Sequence, residues 1–218
     1  MLKAVVRKEL RETLGLAGLG LLAYLCFVAG ETGLPLVPWM GAGQWGIPFV
    51  NGSFLRSFSM VAVLLAIALG LRQSAVESLR GTWLFLLHRP MDRGKLIGLK
   101  LAVGATLYLL CGALPILLYG LWAATPGTHA SPFSWSMTLP TWNAWLSIAT
   151  LYFSAVLVGM RGARWFGSRL FPLAATALFV AVIVQFGARW WLPCLALLVV
   201  VDAWLVVSIL YVARTRDF

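Results

Sequence analysis

The sequence predicts an all-α polytopic membrane protein with six transmembrane helices. Three observations carry that expectation. The 218 residues are 61% hydrophobic and only 11% charged, with a mean hydropathy of +0.90, whereas soluble domains carry about 25% charged residues. Several apolar windows reach the roughly 20 residues needed to cross a hydrocarbon core of about 30 Å. The basic residues also alternate between the connections, and that alternation sets an orientation.

The first span is expected at residues 14–29, after an amphipathic entry helix at 1–13. In that stretch Leu2, Val5, Val6 and Leu10 line one face, and Lys3, Arg7 and Arg11 repeat every four residues on another. The pattern describes a helix lying in the interface. Glu9 and Glu12 within the basic start, with no small-residue cleavage site after it, argue against a signal peptide. The remaining spans are expected at 58–71, 101–122, 142–160, 170–187 and 190–212. Arg56 and Arg72 flank the short second span and extend it by snorkelling.

Six spans place both termini on one side. With the N-terminus inside, fifteen of the seventeen Lys and Arg residues fall on inner segments, and only Arg56 and Arg189 fall outside. The net charge of +10 is then accounted for by topology and anionic headgroups, with no need of nucleic acid. The outer loops at 30–55 and 123–141 are rich in Gly, Pro and Trp, and Trp39, Trp45, Trp135 and Trp142 suit an interfacial belt. Gly41, Gly43 and Gly46 match GxGxxG, but no strand or βαβ unit surrounds them, so no dinucleotide site is expected. Cys26, Cys111 and Cys194 lie in or beside spans, where small buried packing residues are expected rather than disulfides. The whole chain reads as a single transmembrane domain.

The segment at 72–100, RQSAVESLRGTWLFLLHRPMDRGKLIGLK, holds six of the seventeen basic residues and keeps Val76, Leu79, Trp83 and Leu86 or Leu87 at helical spacing. Glu77 and Arg80 stand three apart and are expected to pair on its exposed face. Gly81 loosens the helix, and His88 and Arg89 suit a helix C-terminus. Pro90 ends the helix, Asp92 is placed to cap the next one, and Arg93, Lys95 and Lys100 are expected at the inner headgroups. Trp83, Phe85, Leu86 and Leu87 supply apolar anchors within a charged contour of Glu77, Arg80 and Arg89. Such a segment lies on the membrane and presents a surface to a partner.

Glu77, Gly81-Thr82, Phe85-Leu86-Leu87, Pro90, Arg93 and Lys100 resemble the inner-loop pattern of the type-2 ATP-binding-cassette transporter permeases, and Arg7 to Glu12 resembles that family's entry helix. The resemblance implies a permease subunit of an exporter in the bacterial cytoplasmic (inner) membrane. It implies a pathway formed with a second permease copy or paralogue. It also implies a separate ATPase subunit that binds ATP and Mg and seats the short helix at 81–89 in a groove. The chain has no GxxxxGK[ST] of its own, no cofactor is expected in it, and the family's re-entrant hairpin between spans five and six has no room at 187–191.

Asp202 is the one acid deep in a span, so it is read as a point on the pathway or a subunit interface, or as a neutral side chain hydrogen-bonded to a nearby Ser or Thr. Gln185 is a weaker instance of the same kind. Asp202 also sustains an alternative reading, an ion-coupled secondary transporter, although the paired broken spans of inverted repeats are not evident. An intramembrane enzyme fares worse. The two histidines, His88 and His129, fall on opposite sides and cannot share a metal or a triad, so no catalytic or metal site is expected.

Overall fold

The computed structural model describes residues 2–33, 47–50, 52–79, 92–125, 127, 133–162, 166–187 and 190–215. Six long helices account for nearly all of them: α1 (Leu2–Glu31), α2 (Ser53–Leu79), α3 (Arg93–Ala124), α4 (Leu139–Met160), α5 (Phe166–Gly187) and α6 (Trp191–Thr215). A 3₁₀ turn at Trp135–Thr138 leads into α4, and there is no strand among the described residues. All six helices are long and apolar enough to cross a membrane.

The first difference from the sequence reading is continuity. The entry segment and the first span form one 30-residue helix, about 45 Å long. Val5, Glu9, Thr13 and Ala17, four residues apart, are all buried on its inward face, while Leu10 and Leu14 are exposed. Of the expected Leu2, Val5, Val6 and Leu10 face, Val5 is therefore buried, Val6 is partly buried and Leu10 is exposed. Likewise, α2 runs without a break to Leu79, so the first turns of the 72–100 segment belong to the spanning helix.

α4 is the central helix: fifteen of its 22 residues are buried. It packs most extensively on α2, with α5 and α6 on its other sides. α2 meets it with Ala62, Ala66, Gly70 and Ser74, a buried small-residue stripe at four-residue spacing. A Cβ added to Gly70 would lie 2.6 Å from the Tyr152 carbonyl oxygen and 2.7 Å from Ala155 Cβ, so glycine is what lets these two backbones approach. Close approach through small residues is how helices gain packing energy where lipid removes the hydrophobic drive between them. α6 buries only one stripe, Cys194, Leu198, Leu205, Ile209 and Ala213, and its other faces are apolar and exposed, as suits contact with lipid. The cysteines are all free, as expected.

One end of the bundle is aromatic. Phe49 and Phe54 both pack on Tyr119, with ring centroids 4.8 and 4.5 Å away, and Phe133 joins Phe49. The opposite end gathers the basic helix termini: the start of α1, the end of α2 and the start of α3 meet there. Asp92 caps α3, accepting a hydrogen bond from the Gly94 N–H, as the sequence predicts. At the same end Arg169 of α5 donates to the carbonyls of Val158 and Gly159 and so satisfies the C-terminus of α4.

Candidate functional site

The functional candidate is a buried charge knot where α1, α2 and α3 converge at the basic end. The 3.6-residue period of α1 turns Glu9 inward along with Val5 and Thr13. Glu9 is 1% exposed and Thr13 donates its hydroxyl proton to the Glu9 carbonyl. α2 contributes Glu77 from its last turns, 4% exposed, and α3 contributes Lys100 from its second turn, also 4% exposed. Lys100 Nζ lies 3.0 Å from Glu9 Oε1 and 2.7 Å from Glu77 Oε2. Lys8 Nζ, at the edge, lies 3.0 Å from the other Glu77 oxygen and 3.7 Å from Glu12. The result is an alternating chain, Glu9–Lys100–Glu77–Lys8–Glu12, drawn from three helices.

A neutral hydrogen-bond relay extends the knot into α4. Gln73 donates from Nε2 to the Lys100 carbonyl at 3.1 Å. Tyr152 donates its hydroxyl proton to Gln73 Oε1 at 2.6 Å, and the same hydroxyl lies 3.1 Å from the Leu101 carbonyl. Carbonyls two turns into a helix ordinarily serve that helix. Here they also fix α3 to α2 and α4 at a defined height.

Physically, such a knot holds geometry more than it adds stability. Removing ions from water costs several kcal/mol each, and good pairing roughly offsets it. Breaking one member is different, because it strands a buried charge at a cost of about 3–5 kcal/mol. The knot therefore fixes the relative position of three helix ends with a steep penalty for separating them.

Two sequence expectations are corrected here. Glu77 does not sit on an exposed face; it is buried and its oxygens face Lys100 and Lys8. Lys100 does not project outward from its helix; it is buried and turns inward between two carboxylates. The helical period places both inward, and each finds its counter-charge on another helix. Arg93 is partly exposed in the first turn of α3. Arg80, Gly81, Thr82, Trp83, Phe85, Leu86, Leu87, Arg89 and Pro90 lie outside the described residues. Lys8 and Glu9 are read from sequence only as part of the entry helix, and Gln73 and Tyr152 carry no expected role. The signal that could have found Glu9 is its place in the buried series Val5, Glu9, Thr13, Ala17.

Glu9, Glu12 and Glu77 bring carboxylate oxygens within 4.8 Å of one another. Lys8 and Lys100 ammonium groups already lie against these carboxylates, so the carboxylate oxygens are engaged by ammonium.

Asp202 lies apart from the knot, on α6. Its carboxyl faces the Thr150 hydroxyl of α4, yet neither Asp202 Oδ1 nor Thr150 Oγ1 makes a hydrogen bond of good geometry. Thr150, on another helix, is thus the hydroxyl of the expected Ser or Thr kind beside it. Gln185 is exposed on α5 and is not brought together with Asp202.

Comparison of the chain with protein-family models, with curated proteins and with solved structures gives no match.

Proposed function

We propose that this chain is the membrane-spanning permease subunit of an ATP-driven exporter of the ATP-binding-cassette type. In this reading the basic end faces the cytoplasm of a bacterium, with both termini there. The segment at 81–89 docks on a separate ATPase that binds ATP and Mg, and a second permease copy or paralogue completes the pathway.

The observation that supports this reading is the position of the knot. Glu77 lies just before the segment and Lys100 just after it, and their ion pair of 2.7 Å clasps the segment at its root. Lys100 joins Glu9 of α1, and the Gln73–Tyr152 relay joins α4. A push on the segment is thereby delivered to four helices together and is not absorbed by one flexible strand of chain. Energy coupling from an external ATPase needs such a stiff root.

The test uses Arg89→Glu and the pair Trp83→Ala, Phe85→Ala in the full chain. Co-purification of the ATPase is expected to be lost while membrane insertion and the monodisperse elution profile are retained. Undiminished ATPase association would contradict the reading. Glu77 is unsuited to this test, because its reversal would break the knot itself.

An ion-coupled secondary transporter is the second reading, favoured by the Asp202 carboxyl facing a groove. Transport that persists when ATP hydrolysis is blocked would support it instead.

A further inference from the structure

A groove of about 210 Å³ opens between α3, α4 and α6, with Tyr108, Tyr152, Phe153, Leu198 and Asp202 among its lining residues. It is larger than the roughly 150 Å³ that suffices for a benzene ring in a protein interior. Its lining is aliphatic and aromatic apart from one group. The two tyrosine hydroxyls are engaged elsewhere: Tyr108 donates to the Trp145 carbonyl, and Tyr152 donates to Gln73. The remaining polar side chain in the lining is the Asp202 carboxyl; its Oδ1 is buried beside the Thr150 hydroxyl, without a hydrogen bond of good geometry. Among the described residues no Lys or Arg pairs with Asp202.

We infer that this groove is a binding site for a lipophilic organic cation, an ammonium group carried on an aromatic or aliphatic body of about ring size. Charge complementarity selects the cation. A lone carboxylate in an apolar span is costly until a positive charge meets it, and the partly exposed Phe153 in the lining is a ring type that attracts an ammonium. A metal ion is a poor occupant, because a hard cation takes six or more oxygen ligands and the groove offers one carboxyl with a hydroxyl beside it.

The groove also touches the coupling machinery. Tyr152 lines it with its ring and holds Gln73 with its hydroxyl, and Gln73 holds the Lys100 backbone. Occupancy and the knot thus share one side chain. As the substrate class of a transporter this inference rests on the proposed function, but binding itself does not.

The test is therefore made on the full chain alone, without an ATPase, in nanodiscs of zwitterionic lipid. The probe is benzyltrimethylammonium, compared with its neutral carbon isostere neopentylbenzene. Saturable binding of the cation is expected. Asp202→Asn is expected to weaken it about tenfold or more, the worth of one charged contact. Asp202→Glu is expected to retain most of it, and neopentylbenzene is expected to bind the wild type and Asp202→Asn alike. Absence of saturable cation binding, or equal cation affinity in wild type and Asp202→Asn, would overturn the inference. So would tighter binding of the neutral isostere than of the cation, which would make the groove a seat for lipid chains. Since Asn matches Asp in shape and removes a buried charge, the variant is expected to fold, and its elution profile checks this. Loss of ATPase association in the Arg89 and Trp83/Phe85 tests would leave this result untouched, so the two readings fail separately.

Discussion

Replacing Lys100 by methionine keeps most of the apolar stem and deletes the ammonium. Glu9 and Glu77, 1% and 4% exposed, would then lie close together without the cation that stood 3.0 and 2.7 Å from them. Stranding buried charge in this way costs about 3–5 kcal/mol. Lys8 still reaches Glu77 at 3.0 Å, which puts the expected loss near the lower figure, about 3 kcal/mol. For a chain of this size about 2–4 °C of melting temperature accompanies each kcal/mol. The Lys100→Met protein should therefore melt about 6–12 °C below wild type, measured by loss of the monodisperse peak after heating in detergent.

Two companion variants make the reasoning refutable. Lys8→Met removes a 36% exposed side chain from the rim of the same network, and should cost no more than about 1 kcal/mol. The triple variant Glu9→Leu, Glu77→Leu, Lys100→Met removes the stranded charges together and should return to within about 1 kcal/mol of wild type. If Lys100→Met is no worse than Lys8→Met, or if the triple variant is as unstable as Lys100→Met, the knot is not the buried, mutually dependent network described.

Gly70→Ala should cost about 1–3 kcal/mol by overpacking against the α4 backbone, whereas Gly98→Ala, where a Cβ meets nothing within 4 Å, should be neutral or gain up to about 1 kcal/mol of helix propensity; thermal unfolding of both separates tight packing from mere helix content. Tyr152→Phe leaves Gln73 Oε1 without its 2.6 Å donor and should lower stability by about 1–3 kcal/mol, and a loss below 0.5 kcal/mol, taken as an order-of-magnitude floor of about one weak hydrogen bond, would contradict a relay. Asp92→Ala removes the α3 cap and should cost about 1 kcal/mol, with Asp92→Asn recovering most of it, read from the same melts.

Span count, helix class and the α3 cap were legible in the sequence because each rests on local signals: run length, hydropathy, and a short polar side chain before a helix. The charge knot was not. Glu9 and Lys100 are 91 residues apart, and no local period shows that two ions on different helices face each other. Charge counting also treats every lysine near a span end alike, so it assigned Lys100 to the headgroups. The second turn of α3 in fact points it at α1 and α2. Glu77 was paired with its neighbour Arg80 for the same reason: a spacing of three is visible in sequence, and a partner on α3 is not. Of the expected entry-helix face, Val5 is buried but Leu10 is not; the buried series continues through Glu9, Thr13 and Ala17, whose inward position depends on the partner helices. Asp202 stood out at once as an acid in an apolar span. Its neighbour Thr150 and the groove beside it required the packing of α4 against α6.

In the proposed function, the segment at 81–89 hands force from an ATPase to the bundle through the Glu77–Lys100 root. The most direct measurement places a photo-crosslinking amino acid at Leu86 of the full chain in native membranes and identifies the adduct by mass spectrometry. A crosslink to a subunit bearing a nucleotide-binding Walker sequence, retained in Lys8→Met, is expected. Adducts confined to lipid, or to proteins without a nucleotide site, would contradict it.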